Sequence, residues 1–499
     1  MRSAALCLLA IVAPACNWVL GLDPTQLVDA GPPGDGPLPV ARLTWMVALT
    51  DAQGMPVALP DFRPIAPAPT IMAGRVDGPL APLEYRDDGT FEVPYAFGAS
   101  KYRFAYQLPN DLPREMQWTP TEGRPAHAVV PVSGRLERAS IPGPNATFSL
   151  TPLGSPPAQH RAPRVVTTGI WTESQPVFPV PAGATFNYNF NSSIQLSGPP
   201  GAPESAKRDL VVLIDFGNNG TCRSSEGSAA FRVDLVDGLS IPTMSETWAF
   251  AGRGATGSGD GAENYVRAAG IIGSTQTSVV TTRTRIGPTP STTMPAFTER
   301  VASLGLRAPV ILPLIDCTGA NLSTLPAFGE PISLQPFDML AIHQLTVSRT
   351  VSGGPTLEGG LSAVAPVADA GPFVLEFAAA IPTPPFMLGD REISTTDQLQ
   401  LPAGTGPVVL SFGVELGRQA NYYDVVLHRV AGTSTIAERV YTVAEPTVTI
   451  DRTVFTTATE YVFEIRAYQG APEAAVGDFT RYLPTQSSAV AWTHTFRAP

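Results

Sequence analysis

The sequence predicts an all-β protein, made of tandem antiparallel β-sandwich domains with Pro/Gly-rich linkers and very little helix. Short runs in which apolar and polar residues alternate recur along the chain, and Lys101 to Tyr106 is one of them. The 499 residues include 52 prolines and 45 glycines, which suit many turns between short strands. Hydrophobic residues make up 43% and charged residues 15%, so the composition favours packed cores over intrinsic disorder.

Residues 1–16 have the pattern of an export signal. Arg2 precedes a short apolar run, which ends in Ala13-Pro14-Ala15-Cys16. The run is too short for a permanent membrane span, which takes about 20 apolar residues. We therefore expect the chain to be exported and the segment to be cleaved near Cys16.

Cys16 after a small residue resembles the lipobox of bacterial lipoproteins, and Asn17 to Asp23 resembles the segment that follows the lipid cysteine in myxobacterial surface lipoproteins. The resemblance implies that the Cys16 thiol is lipidated and that acyl chains such as palmitate hold the protein in a membrane. Asn17 follows where lipoproteins retained at the inner membrane commonly have Asp, which points to the outer membrane or cell surface. Residues 17–40 then form a flexible tether. The family usually has Leu at the position of Ala13, and Ala13 to Ala15 also fits an ordinary signal peptidase site, which would release a secreted protein.

Two cysteines remain for the mature domains. Cys7 and Cys16 belong to the signal, which leaves Cys222 and Cys317. In an exported protein these two most simply form a disulfide, and two free buried thiols are the alternative. No CxxC motif or histidine pair lies near either cysteine, so the sequence predicts no metal site there.

The length suggests about three domains. Residues 41–152 form the first, a small β-sandwich in which Leu43, Trp45, Val47 and Leu49 alternate with other residues. The segment from Asp88 to Val93 resembles the turn and strand of prealbumin-like domains in surface proteins. Residues 152–163 are rich in Pro, Gly and Ser and are predicted to be a linker.

Residues 164–366 form a β-rich middle domain that contains the predicted disulfide. The apolar runs Leu210 to Phe216 and Pro309 to Cys317 are expected to be buried strands, each leading towards a cysteine. Pro295 to Leu304 is the best candidate for a helix. The glycine-rich segment Gly252 to Gly261 lacks the end of a phosphate-binding loop and no helical pattern follows it, so it is interpreted as a flexible loop.

Ser352 to Pro372 has the composition of a second linker, and residues 373–499 form the last domain. There, Tyr461-Val462-Phe463-Glu464-Ile465-Arg466-Ala467 resembles a late strand of fibronectin type III and related Ig-like sandwiches. The resemblance implies that Tyr461 is a corner tyrosine whose hydroxyl bonds to upstream backbone. Phe412 stands where the family usually has a core tryptophan.

The sequence indicates no catalytic site, no metal site and no cofactor. The chain has no G-x-S-x-G motif, and its histidines are far apart, which predicts surface or strand positions for them: His127, His160, His343, His428 and His494. A net charge of −11 without any basic block gives no electrostatic basis for nucleic-acid binding.

These features together predict a non-enzymatic lipoprotein of the cell envelope that displays β-sandwich domains for surface contact or adhesion. Its expected partners are the membrane, through the N-terminal lipid, and a surface protein or polysaccharide. The alternative is an exported carbohydrate-binding or carbohydrate-active protein that uses the middle domain.

Overall fold

Strands dominate the computed structural model of this protein, which confirms the predicted all-β class. The part of the chain that the structure describes holds 33 strands and one α-helix. The described residues are 40–43, 49–50, 56–57, 70–76, 78–84, 91–94, 101–107, 112–118, 145–151, 164–167, 172–174, 185–189, 210–232, 244–245, 252–259, 261–289, 314–319, 321–329, 338–367, 372–394, 397–476 and 486–499.

The strands are numbered in chain order. The first half of the chain contains β1 Val40–Leu43, β2 Leu49–Thr50, β3 Pro56–Val57, β4 Thr70–Arg75, β5 Ala81–Pro82, β6 Phe91–Pro94, β7 Tyr102–Gln107, β8 Arg114–Trp118, β9 Asn145–Thr151, β10 Arg164–Thr167, β11 Thr172–Ser174, β12 Thr185–Asn189, β13 Leu210–Asn219, β14 Cys222–Arg232, β15 Met244–Ser245, β16 Gly252–Arg253 and β17 Thr256–Ser258. The second half contains β18 Thr281–Thr289, β19 Ile315–Thr318, β20 Phe328–Gly329, β21 Asp338–Thr350, β22 Thr356–Pro366, β23 Pro372–Val374, β24 Pro382–Leu388, β25 Arg391–Glu392, β26 Leu399–Gln400, β27 Val408–Val414, β28 Tyr422–Ala431, β29 Ser434–Val443, β30 Thr447–Ile450, β31 Glu460–Gln469, β32 Gln486–Trp492 and β33 Phe496–Arg497.

The last quarter of the chain contains two sheets that face each other across one core. The first sheet has the order β25-β24-β27-β30, and the second contains β29, β28, β31 and β32 as neighbours. The alternation along β27 puts Leu410 in the core and leaves Val409 45% exposed. Phe463 of β31 packs into the same core from the opposite sheet. Two apolar faces that exclude water from each other supply the main favourable energy of this region.

Tyr461 has the role that the resemblance implied. Its side chain is fully buried, and its hydroxyl oxygen accepts a hydrogen bond of 2.8 Å from the backbone N–H of Thr456, five residues upstream. Phe412 is buried where a tryptophan was expected and packs edge-on against Tyr423, with ring centroids 5.1 Å apart. The predicted hydrogen bond between the Tyr461 hydroxyl and upstream backbone is confirmed.

Replacing Tyr461 with Phe is expected to lower the free energy of unfolding by about 1 kcal/mol, because the N–H of the exposed Thr456 loses its hydrogen bond to the buried Tyr461 hydroxyl. Urea denaturation measures the change. Tyr423→Phe is the matched control, since no hydrogen bond of that hydroxyl is described. Equal losses in the two variants would contradict the corner role.

The second sheet continues far beyond the last quarter of the chain and contains 18 strands. From β29 it runs in one direction through β28, β31, β32, β22, β21, β18, β19, β14, β13, β10 and β11. In the other direction it runs through β8, β7, β4 and β5. Strands from residues 41–152, 164–366 and 373–499 therefore share one sheet, and the division into these three domains stays a prediction.

The linker predicted for Ser352 to Pro372 is wrong, because β22 lies inside this segment with partners on both sides. Gly359 and Gly360 suggested a linker, but they lie where strands come closest together. A Cβ on Gly359 would meet the carbonyl oxygen of Val490 at 2.7 Å. Gly360 has φ +148°, and a Cβ there would meet the carbonyl oxygen of Leu345 at 1.9 Å. The glycines serve close packing within the sheet.

The flexible loop predicted for Gly252 to Gly261 is also wrong. Strand β16 pairs with β20, strand β17 pairs with β23, and helix α1, Ala262–Gly270, begins directly after Gly261. The helical pattern escaped detection because the helix is short and buries only Arg267, Ala268 and Ala269. Short 3-10 helices occur at Thr277–Val279, Leu322–Thr324, Arg452–Val454 and Pro472–Val476. The helix predicted over Pro295 to Leu304 lies outside the described residues.

Candidate functional site

The predicted disulfide between Cys222 and Cys317 is present. The two cysteines lie directly opposite each other on the neighbouring strands β14 and β19, with their Cα atoms 4.0 Å apart. Both are buried in the main core. The lipidation site predicted at Cys16 lies outside the described residues, so the lipid anchor stays a prediction.

Arg349, Asp397 and His494 form a half-buried polar cluster that the sequence did not predict. The Nδ1 atom of His494 lies 3.0 Å from Oδ1 of Asp397, and the backbone N–H of Thr495 donates to the same oxygen. The Nη1 atom of Arg349 lies 3.4 Å from Oδ1 of Asp397, and its Nη2 atom donates to the carbonyl oxygen of Thr493. The cluster joins β21 to two segments that are distant from it in sequence.

The electrostatics of this cluster keep His494 neutral and Asp397 ionised. Burial and the charge of Arg349 lower the pKa of His494, against the opposing effect of Asp397. Burial opposes ionisation of Asp397, but the N–H of Thr495 and the charge of Arg349 outweigh it and lower the pKa of this carboxyl. The same Nδ1 atom of His494 lies 3.1 Å from Nη1 of Arg349, which can only donate a hydrogen bond, and 3.0 Å from the carboxylate of Asp397, which can only accept one. Among the described residues no hydroxyl or thiol is hydrogen-bonded to this ring, so the geometry supports a structural role.

His428 and Glu464 form a second, more deeply buried pair. The Nε2 atom of His428 lies 2.9 Å from Glu464, and Arg466 donates to the other carboxylate oxygen at 2.7 Å. Burial opposes ionisation of Glu464, but Arg466 and His428 outweigh it and lower its pKa from 4.5 to about 2. The carboxylate is therefore ionised throughout the physiological range.

The low pKa of Glu464 predicts a loss of stability in acid. The folded state holds this carboxyl with a pKa of about 2, and the unfolded chain has its ordinary value of 4.5. The ionised Glu464 carboxylate therefore adds on the order of 3 kcal/mol to the free energy of unfolding above pH 4.5. This stabilisation disappears as the pH falls towards 2. Urea denaturation across this window should show Glu464→Gln losing less stability on acidification than the wild type. The exposed Glu376→Gln control should follow the wild type, and identical curves for all three would contradict the prediction.

Arg267 of α1 makes polar contacts with four other residues. Its Nε and Nη2 atoms both donate to the carboxylate of Glu415 at 2.8 Å. Its Nη1 and Nη2 atoms donate to the carbonyl oxygens of Phe377 and Ala379 at 2.6 and 2.8 Å. The side chain is 7% exposed. Arg267 therefore fixes the helix to Phe377, Ala379 and Glu415.

Strand β8 brings a further buried polar group against the last quarter of the chain. It pairs in parallel with β29, so that Glu115 lies opposite Tyr441. The side-chain amide of Gln117 donates to the carbonyl oxygen of Thr449 at 2.5 Å and accepts from its N–H at 2.9 Å. The Gln117 side chain thus makes the two backbone hydrogen bonds that a neighbouring strand would make to Thr449 of β30. Sequence gave no signal for this contact, because its partners lie 332 positions apart.

Three of the five histidines lie in the described part of the chain, on strands or next to one. His343 and His428 lie on strands and His494 follows one, while His127 and His160 lie outside the described residues. The described part of the chain contains no group of three His, Cys, Asp or Glu residues suited to hold a metal ion. Within the same part, no helix is long and apolar enough to cross a bilayer. Neither the models of known protein families nor the curated proteins include a match to this chain.

Proposed function

We propose that this protein is a non-enzymatic lipoprotein of the cell envelope that displays its β-sheet structure for surface contact or adhesion. In this proposal Cys16 carries the lipid, residues 17–40 form the tether, and the folded chain faces outward. The last quarter of the chain is proposed to be a fibronectin type III-like or Ig-like module, with Tyr461 as its corner residue.

The continuous 18-stranded sheet is the observation that carries the proposal. A sheet whose strands come from all three predicted domains is a single extended scaffold, and a scaffold of this kind holds loops and exposed faces in fixed positions. The disulfide supports export, because disulfides persist in oxidising compartments outside the cytosol.

The loop between β27 and β28 is a suitable contact position. Leu416 is 96% exposed at its tip. Ion pairs fix the loop on both sides of Leu416. Glu415 pairs with Arg267, and Arg418 pairs with Glu263 at 2.6 Å. An apolar side chain presented on a fixed loop can bind a partner without a large loss of conformational entropy.

Adhesion of coated beads to cells tests the proposed function. Beads coated with the folded chain should bind to cells of the same culture, and Leu416→Asp should reduce the binding. Val409→Asp is the matched control, since Val409 is also an exposed apolar residue but lies on a strand. Binding no stronger than that of albumin-coated beads would contradict the proposed contact function.

The face of β18, β19 and β21 that carries the exposed Arg283 favours carbohydrate binding as a second candidate. Arg283 donates twice to Asp316, at 2.8 and 2.6 Å, and Arg285 donates to Gln344 at 3.3 Å. Planar polar groups in a row match the hydroxyls of an extended sugar chain. Binding in a polysaccharide screen that Arg283→Ala removes would favour this candidate over adhesion to cells.

A further inference from the structure

Strands β4, β5, β7 and β8 form a unit, here called the edge unit, that covers the outer edge of β29. Its hydrogen bonds to the last quarter of the chain include strand pairing over Val440–Val443, two bonds between Gln117 and Thr449, and one from Lys101 to Thr447. Two ion pairs add to them, from Lys101 to Glu445 at 2.6 Å and from Arg439 to Glu115 at 3.8 Å. The edge unit and its docking edge are therefore complementary in backbone pairing and in charge.

The docked edge unit leaves several buried polar groups poorly satisfied. Glu115 is 2% exposed and accepts one hydrogen bond of 2.8 Å from the side-chain amide of Gln117, but its nearest cations lie 3.8 and 4.0 Å away, beyond hydrogen-bond distance. The hydroxyl of Tyr441 and the Nε atom of Arg103 have no hydrogen-bond partner among the described residues. Water would solvate all of these groups if the unit moved away. This solvation offsets part of the cost of opening.

Opening would expose the backbone edge of β29, which then needs another strand. The strand that fits best is β8, because Gln117 meets both backbone groups of Thr449 and Glu115 meets Arg439. A second copy of the chain carries the same strand. Arg114 of β8 pairs with Val440 of β29, which is far away in sequence. No short turn therefore joins the two strands, and they can come from different chains.

We propose that β8 of one copy pairs with β29 of a second copy, so that two chains exchange their edge units. Exchange of an identical element reuses every native contact and needs no new surface. This inference rests on the proposed contact function and names its partner as another molecule of the same protein. Strand exchange would join two displayed chains through backbone hydrogen bonds.

Engineered cysteines test the exchange, since Met116 of β8 lies directly opposite Thr442 of β29. Full-length chains carrying either Met116→Cys or Thr442→Cys, tagged to differ in mass and each with Cys16→Ala, are expressed together and oxidised. We expect a heterodimer band at least about tenfold stronger than the control band, because only a register-matched pair lies at disulfide distance. The control combines Val426→Cys and Val440→Cys chains, whose residues face each other within the β28–β29 hairpin.

A chain that carries both Met116→Cys and Thr442→Cys checks the register itself. Cross-links between chains support exchange, whereas cross-links only within chains, together with no heterodimer from the single variants, overturn it. Absence of any cross-link in the double variant also overturns it, because β8 then does not lie beside β29. Bead adhesion separates the two proposals: a heterodimer without adhesion contradicts the contact function alone, and adhesion without a heterodimer contradicts the exchange alone.

Discussion

Replacing both Cys222 and Cys317 with alanine is expected to lower the free energy of unfolding by about 4 kcal/mol. The disulfide closes a loop between positions 95 apart, and cross-linking so long a segment removes much of the conformational entropy of the unfolded chain. It also joins β14 to β19 within the long sheet, where both cysteines are buried in the main core. Urea denaturation at pH 7 measures the loss.

Reduction provides the control for this prediction. Dithiothreitol should destabilise the wild-type chain by a similar amount and should leave the double alanine variant unchanged, since that variant has no bond to reduce. An equal effect of the reductant on both proteins, or an unchanged denaturation midpoint in the double variant, would contradict the stabilising role of the disulfide.

Arg267→Met is expected to destabilise the protein by about 3–5 kcal/mol, the usual cost of removing one partner of a buried ion pair. The substitution keeps much of the side-chain volume but leaves Glu415 without its bidentate partner. It also removes hydrogen bonds from the carbonyl oxygens of Phe377 and Ala379. Because α1 then loses its main polar link to these residues, its amides should also exchange hydrogen faster.

Arg418→Met is the matched control for Arg267→Met. Arg418 also contacts Glu415, but at 3.6 Å and with 30% of its side chain exposed. Its loss should cost less than about 1 kcal/mol, because water screens exposed pairs. A double variant with Glu415→Gln should recover part of the loss caused by Arg267→Met, since no buried charge then remains unpaired. Equal effects of the two arginine substitutions would contradict the buried role of Arg267.

Local sequence patterns predicted the elements of the last quarter of the chain well. The alternation through Val408, Leu410 and Phe412 reflects a strand with one buried face, and the structure has β27 there. The pattern around Tyr461 identified a hydrogen bond to backbone only five residues away. Both depend on short-range geometry, which a single sequence carries.

The connections between regions could not be predicted in the same way. Gly359 and Gly360 suggested a linker by composition, whereas the structure uses their missing side chains to bring neighbouring strands together. The need for glycine arises from the backbone of Leu345 on β21 and of Val490 on β32, which approach closely only in the folded sheet. Composition cannot distinguish a glycine that allows motion from one that allows close packing.

The polar sites also differ in how far the sequence could predict them, because some depend on contacts between residues that are distant in sequence. Cys222 and Cys317 were predictable because only two cysteines remain after the signal, and export favours their pairing. Asp397 and His494 lie 97 positions apart, and neither belongs to a motif. The pairing of β8 with β29 is further still in sequence, so only the fold shows it.

Antibody labelling of intact cells tests the central claim, that an anchored, folded sheet is displayed at the cell surface. An antibody against the strands of residues 373–499 is applied to cells that express the wild-type chain or Cys16→Ala. We predict labelling of intact wild-type cells, and a shift of the protein into the medium for Cys16→Ala, because the lipid is the only proposed anchor. Labelling of wild-type cells only after permeabilisation would contradict surface display.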